Sequence, residues 1–533
     1  MTLPMFAASL CAGMTRVSEP SSMGQGYENA TRSVMKAVPH EKTMRLETSR
    51  RLRLQTAGAL PFVLALIAAV AYASISIYRH DAFASNAFDL GVQDQTVWGY
   101  SQLQMIPNTV EMIRNLLGDH FHPILMTLAP LYWIWNDVRV LLIVQALLIA
   151  AGGIPIFWWA RQQLGVLPAI AFELAYLAFW GVLSAVVYDF HHIAFAVPAV
   201  SFGLYAVLVK NNRLLWAMVA LGLLTRENIA LTFAAIGVFV VLAQRRWRLG
   251  AALIAVCAAW FLAVIEVVMP AIAGRPYSHW TYDALGPGPG SALQHIVRHP
   301  ISSLALLFNN TIKLKLWGGL LGAWLFLPIL SPIFLVAIPE LLERLWSSNP
   351  MLWSASFHYS LVIAPVLAFA GIDTLARAGR WLAGRLHPLV PAGVAVATLA
   401  AGLLLTFGFV RPLDELGTYT WAGQAAEIQS CLDVIPPTAS VSASDGLLPH
   451  LSHRREIYLL TMKTDADYVA VDLASYGGHF FAGEQTQIRD AITRSLAGGY
   501  GVACSKGTTV ILQRGGGNGS LSPAVAAFLA QTG

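Results

Sequence analysis

The stretch FDLGVQDQTVW, residues 88–98, sets two carboxylates, Asp89 and Asp94, among aromatic and amide side chains directly after a long apolar run. A carboxylate there has two jobs open to it. It can cap a helix by accepting backbone N–H bonds, or it can take a proton from a hydroxyl as a general base. Asp94 and Gln95, about a turn further on, would solvate that helix or reach a substrate. More such groups recur along the chain: GDHFHP (Asp119, His120, His122), DFHH (Asp189, His191, His192), TREN (Arg226, Glu227), YSHWTYD (His279, Asp283) and FHY (His358, Tyr359). His120 and His122 share one face of an extended chain. With Asp189 and His192 they make a nitrogen and oxygen set of the type that zinc or manganese takes, so a divalent metal ion is the one cofactor these residues could hold; solvated loop histidines are the other reading. Arg226 beside Glu227 reads either as a structural ion pair or as a bidentate anchor for phosphate.

These groups must be held by something, and composition says what. Of 533 residues, 56% are hydrophobic and 12% charged, with a mean hydropathy of +0.59, whereas soluble domains carry about 25% charged residues. Runs long enough to span a bilayer, roughly 20 residues, recur from Ala57 to Val410. The chain therefore reads as an all-α polytopic membrane bundle over residues 55–410. Its net charge of +5 does not mark a nucleic-acid surface, because Lys and Arg fall in short clusters between apolar runs, the bias that orients spans.

By that rule Arg50, Arg51 and Arg53 put residues 1–54, an expected disordered leader, in the cytoplasm and the loop 79–137 outside. About eleven crossings follow. Residues 123–135 are expected as an interfacial or re-entrant piece, 214–243 as two half-crossings around Arg226 and Glu227, and Lys313 and Lys315 on the inner side. Every acidic and imidazole motif named above then shares the outer face. The rule uses neither acids nor imidazoles, so their coincidence is partly independent evidence for a cleft. Placing a charge in hydrocarbon costs roughly 2.5–3.5 kcal/mol, and such groups face a cavity or a partner.

From about Arg411 the composition turns ordinary. Residues 411–514 read as helix (AGQAAEIQSCLDVI), strand (ASVSAS), short helix (GLLPHLSH), two strands (EIYLL, DYVAVDL), helix (QTQIRDAITRSL) and paired strands (YGVACS, TTVILQR) around Lys506-Gly507. That alternation predicts a small extracytoplasmic α/β domain. Its SASDGLLPHLSHR stretch reads as an acceptor-binding surface or as an internally satisfied loop. Residues 515–533, rich in Gly, Ser and Ala, are expected to be a flexible tail. Cys431 and Cys504, on the outer side, pair as a disulfide or remain buried thiols. With Cys11 and Cys257 they show no zinc-type spacing. The first fourteen residues lack the marks of a signal peptide or a lipid anchor.

FDLGVQDQTVW, DHFHPILMTLAPLYWI, VQALLIAAGGIPIFWWAR, YDFHHIAFAVP, RENIAL, PELLERL, FHYS and ASVSASDGLLPHLSHRREIY, taken in order, resemble the bacterial membrane protein family called domain of unknown function 2079, over about residues 55–515. That family is in turn similar to the GT-C integral-membrane glycosyltransferases. The resemblance implies a protein of the bacterial cytoplasmic (inner) membrane that moves a sugar from a polyprenyl-phosphate donor to a glycan, lipid or protein acceptor on the outer face. It implies Asp89 as general base and Arg226, with His120 or His122, at the leaving phosphate. Asp189 and Glu227 would orient these or bind sugar hydroxyls, and Asp94, Asp119, His191, His192, His358 and Tyr359 would line the substrate site. GT-C enzymes commonly carry an acidic pair where this sequence has the lone acid of FDLG. A transporter or flippase of a lipid-linked or small polar solute is the rival reading, kept open by the interrupted 214–243 run. A non-catalytic scaffold is the third.

Overall fold

A computed structural model describes residues 58–382, 387, 389–410, 422–474 and 484–531; the leader lies outside them. Apolar runs become helices because only the chain itself can satisfy its backbone in hydrocarbon. Helix α1 (Gly58–Asp81) leads through a segment carrying α2 (Val92–Ser101) and a short apolar helix at Pro123–Ile134 to α3 (Arg139–Leu164). Next come α4 (Val166–Leu177) and α5 (Trp180–Val186), bent by 44°, then the shorter α6 (His192–Leu208), α7 (Asn212–Leu223) and α8 (Ile229–Leu242). The bundle ends with α9 (Trp247–Ala273), α10 (Thr311–Gly322), α11 (Ile338–Trp346), α12 (Ile363–Trp381) and α13 (Val390–Phe409). Among the described residues α1, α3, α9 and α13 are long and apolar enough to cross a membrane, with a fifth crossing if α4 and α5 count as one.

Lipid offers helices no hydrophobic drive to associate, so close backbone approach and interhelical hydrogen bonds hold them together. At the α8–α9 contact a Cβ on Gly250 would stand 2.6 Å from the Gly237 carbonyl. The Tyr176 hydroxyl donates to the Ile149 carbonyl (2.7 Å), Trp180 Nε1 to the Gly319 carbonyl (2.9 Å), and Thr406 to the Ala178 carbonyl at the α4–α5 bend (2.7 Å). Residues 214–243 fold as α7 and α8, a hairpin turning through 224–228. Lys313, expected in an inner loop, is instead buried in α10. Its ammonium donates to the Leu306 and Leu345 carbonyls, both at 2.7 Å, and faces the Trp353 ring. A lysine satisfied in this way carries no loop charge, so counting it misplaced that turn.

The C-terminal part follows the predicted alternation. Helix α14 (Ala422–Leu432) precedes β1 (Val441–Ala443), β2 (Ile457–Leu459), β3 (Tyr468–Asp472), α15 (Glu484–Ala497), β4 (Tyr500–Lys506) and β5 (Thr509–Arg514). The sheet order is β2-β1-β3-β5-β4, with β1 parallel to β2 and β3, and β5 antiparallel to β3 and β4. A Cys431–Cys504 disulfide ties α14 to β4. The 515–533 segment departs from its expected looseness: α16 (Pro523–Ala530) forms there, capped by Ser522, and buries Val525 against the sheet. The Ser-Pro start and the apolar AVAAFLA that follows are helix signals, masked in composition by the glycines before them.

Candidate active site

Asp89 sits in a single wide helical turn, Ala87–Gly91, that opens into α2. A helix start leaves N–H groups unpaired, and here two other carboxylates take them. Asp189 Oδ2 accepts from the Asn86 backbone N–H (2.6 Å) and side-chain amide (2.7 Å), and Asp445 Oδ1 accepts from the Ala87 N–H (2.7 Å). The capping role open to Asp89 is thus occupied, and its carboxylate is left to face a cavity, 15% exposed. Burial first, then the Asp189 charge, pushes its pKa up to about 7, while a hydrogen bond from Tyr188 opposes the rise.

That cavity, about 300 Å³, brings together Asp89, Asp119, His120, His122, His191, His192, Arg226, His358 and Tyr359. The 224–228 turn supplies its cation. Glu227 is fully buried and holds the approaching chain with both oxygens, Oε1 2.8 Å from His120 Nδ1 and Oε2 accepting from the Phe121 N–H at 3.0 Å. His120 Nε2 then meets Arg226 Nη2 at 3.3 Å, and the Arg226 Nε, 3.7 Å from Glu227 Oε1, makes no hydrogen bond within the protein. Although burial disfavours its charge, His120 and Arg226 hold the Glu227 carboxyl well below the usual carboxylate range. Beyond His120 the ring of His279 stacks at 4.4 Å and its Nε2 lies 2.9 Å from Asp119 Oδ1, a bond that raises the His279 pKa.

A second run of imidazoles continues the wall. His122 packs on His192 (4.4 Å), His192 on His191 (4.3 Å) and His191 on His358 (3.6 Å). Both ring nitrogens of His122 and of His192 are buried without a protein partner, as is His358 Nδ1. Buried polar atoms are nearly always paired, and these nitrogens line the cavity, where water or a ligand can satisfy them. Burial, then the neighbouring His120, brings the His122 pKa down to about 4. Two trios offer ligand atoms within 4.8 Å of one another, Asp89 with His191 and His358, and Asp119 with His120 and His279.

Three expected site residues do not line the cavity, and for one reason: each is a buried tether, Glu227 behind His120 as described above, and Asp94 and Asp189 further off. Asp94 does not line the cavity. It is fully buried, accepting from the Tyr132 hydroxyl (2.5 Å) and Ser452 Oγ (2.5 Å) with His453 Nε2 at 3.1 Å, and so clamps the C-terminal part to the loop after α1. Gln95, likewise buried, bonds Thr109 and the Arg454 carbonyl. Asp189 is spent on Asn86 and stands 3.8 Å from Arg79. The quartet His120, His122, Asp189 and His192 is therefore no ligand set. The SASDGLLPHLSHR stretch is the docking surface for this clamp; a Cβ on Gly91 would collide with Leu448.

Sequence reasoning missed Glu111, Tyr277, Tyr282, Glu340, Glu343 and Arg344, which also line the cavity. Arg344, fully buried, pins the loop carrying His358 and Tyr359 through the Leu352, Ser354 and Tyr359 carbonyls and Ser360. The signal was PELLERL, whose Glu340, Glu343 and Arg344 fall at i, i+3 and i+4, one face of a helix. A second cavity of about 420 Å³ adjoins the first and shares Phe88, Asp89, His358 and Tyr359 with it.

Two solved structures of ArnT from Cupriavidus metallidurans are similar to this chain, one bound to undecaprenyl phosphate and one in the apo state. The first is 14% identical with a TM-score of 0.52, covering 85% of this chain and 97% of that one; the second is 13% identical, also at 0.52, covering 86% and 98%. At such identity the likeness is one of fold. No curated protein sequence matches. Residues 79–505 match the family described as predicted membrane protein (DUF2079), and the chain belongs to that family.

Proposed function

We propose that the protein is a GT-C-type membrane glycosyltransferase moving a sugar from a polyprenyl-phosphate donor to an acceptor at the extracytoplasmic face. One observation carries this reading: the Asp89 carboxylate stands at the junction of two cavities, of which the first also holds Arg226. A base works best with a pKa near the working pH, and Asp89 is pushed up to about 7. In the step, the acceptor O–H proton passes to Asp89 and the acceptor oxygen bonds to the anomeric carbon. The bond from that carbon to the donor phosphate oxygen breaks, and lipid phosphate leaves. Arg226, with His120 or His122 beside it, stabilises the charge that develops on the phosphate. That a protein of the same fold holds undecaprenyl phosphate supports the donor class.

The same reading sets the protein in the bacterial inner membrane with eleven crossings, N-terminus cytoplasmic, residues 55–410 in the membrane part and 411–514 outside. Supporting it, α12 runs from the His358 loop at the site to Arg377 and Arg380, where Arg380 bonds Gln163 at the far end of α3. The Asp89, His191 and His358 trio offers nitrogen and oxygen donors of the kind zinc or manganese takes, but a cation there would hold Asp89 deprotonated and occupied, so in this reading Asp89 serves as the base and not as a ligand. The Asp119 trio is already closed by its own hydrogen bonds. The 214–243 run folds as the expected pair of short helices around Arg226 and Glu227, so the transferase reading is preferred to the transporter on the gathering of the polar groups at one cavity and not on that break. Protein in nanodiscs should bind undecaprenyl phosphate, and Arg226→Ala should weaken that binding about 10- to 100-fold, the worth of a charge-assisted hydrogen bond. Unchanged affinity would refute Arg226 as the anchor.

A further inference from the structure

The second cavity differs from the first in a way that sorts ligands by charge. It lies among the Asn86–Asp89 turn, the loop containing Met351 and Phe357, and the C-terminal part. At about 420 Å³ it falls within the roughly 300–1,000 Å³ of small-ligand sites. Three carboxylates line it, Asp89, Asp445 and Glu484, and no lysine or arginine does among the described residues, whereas the first cavity sets Arg226 and Arg344 among its five carboxylates, so that only there can an anion find a cation.

Aromatic rings complete the wall. Phe88 is half exposed, and Phe357 meets Tyr188 edge-on at 4.5 Å and Tyr359 at 5.8 Å. Phe357 holds φ at +66°, a left-handed backbone that costs a bulky residue energy and persists where the surroundings enforce it. His358, 8% exposed, has an unpartnered Nδ1 and lines both cavities. Flat apolar faces beside hydrogen-bond acceptors suit a sugar ring, and carboxylates accept from hydroxyl or ammonium groups while repelling anions.

Resting on the transferase reading above, we propose that this second cavity is the acceptor subsite and that its occupant is a neutral or amine-bearing glycan, with Asp445, Thr461 and Glu484 of the C-terminal part forming half of it. The Asp94 clamp then keeps the acceptor half of the site registered on Asp89.

The test uses full-length protein in nanodiscs and four probes: chitotetraose, its de-N-acetylated amine counterpart, tetragalacturonate and undecaprenyl phosphate. Chitotetraose and the amine tetramer should bind, and tetragalacturonate should bind at least about tenfold more weakly, as like-charge juxtaposition requires. Thr461→Trp fills the cavity and should block glycan binding while leaving undecaprenyl phosphate binding unchanged; Gln487→Trp, at a second lining residue, on α15, repeats the test should the first variant misfold. Equal binding of tetragalacturonate, no glycan binding, or glycan binding indifferent to both fillings overturns the proposal. Glycan binding blocked by the fillings, with no undecaprenyl phosphate bound by the wild type, upholds the glycan subsite and refutes the donor assignment instead.

Discussion

His120 Nδ1 lies 2.8 Å from Glu227 Oε1, joining the loop after α1 to the α7–α8 turn across 107 positions of sequence. Because the carboxylate must accept, Nδ1 carries the proton and Nε2 is left facing Arg226. Glu227 thus sets how the cation is presented without touching substrate.

Removing Glu227 leaves Arg226 and His120 without their counter-charge. Glu227→Ala should cost roughly 3–5 kcal/mol, as breaking one side of a buried pair does, and Glu227→Gln, which keeps an acceptor, should cost less. Thermal unfolding in detergent measures both. Because the folded pKa of Glu227 is depressed, its stabilisation is present above the unfolded carboxylate value and is lost as pH falls through the folded one. An Ala variant that melts like wild type would contradict the tether.

The Asp94 clamp makes a separable prediction. Asp94→Ala orphans the Tyr132 hydroxyl, leaves Ser452 only its local bond to the Pro449 carbonyl and frees His453, so limited proteolysis should release the C-terminal part at protease levels that leave wild type intact. Burial opposes charge on His453, but Asp94 raises its pKa above the ordinary value. Docking stability from that ion pair is therefore full below the unfolded histidine value and lost as pH rises through the raised folded one. Cleavage should quicken on the alkaline side; quickening only in acid would contradict this.

For catalysis the sign runs the other way. Asp89 must be deprotonated to accept a proton, so kcat/KM should rise about tenfold per pH unit below the Asp89 pKa and flatten above it. The limb should bend at about 7. A limb that bends in the ordinary carboxylate range would mean that another acid is the base.

Orientation can be read by cysteine labelling. Leu103, 83% exposed, and Trp381, 84% exposed, lie on opposite sides in the proposed topology, and Cys257 is buried. In a Cys11→Ser background, Leu103→Cys should react with an impermeant maleimide on intact cells and Trp381→Cys only after permeabilisation. The reverse pattern would invert the protein.

Periodicity made the helices and strands of the C-terminal part readable, and polar motifs between apolar runs made Asp89, His122 and Arg226 recognisable as partners, which one cavity unites. Local pattern says nothing of which carboxylate points where. Asp89 and Asp94 are five positions apart with similar neighbours, yet one faces the cavity and the other lies under Ser452, 358 positions away. Asp189 likewise reads like a site residue until Asn86 is found against it. Glu111 stood in no suggestive motif, and the PELLERL pattern put Glu340 on a helix face without saying what that face meets; only the fold brings both to the cavity.

The most direct test is single-turnover transfer from a polyprenyl-phosphate sugar donor to a chitotetraose acceptor by purified wild type and Asp89→Asn. Asparagine keeps the shape and cannot take the proton, so the rate should fall about 10²- to 10⁴-fold, the usual worth of a general base, with unchanged melting and unchanged undecaprenyl phosphate binding. Transfer at the wild-type rate by Asp89→Asn would contradict the account.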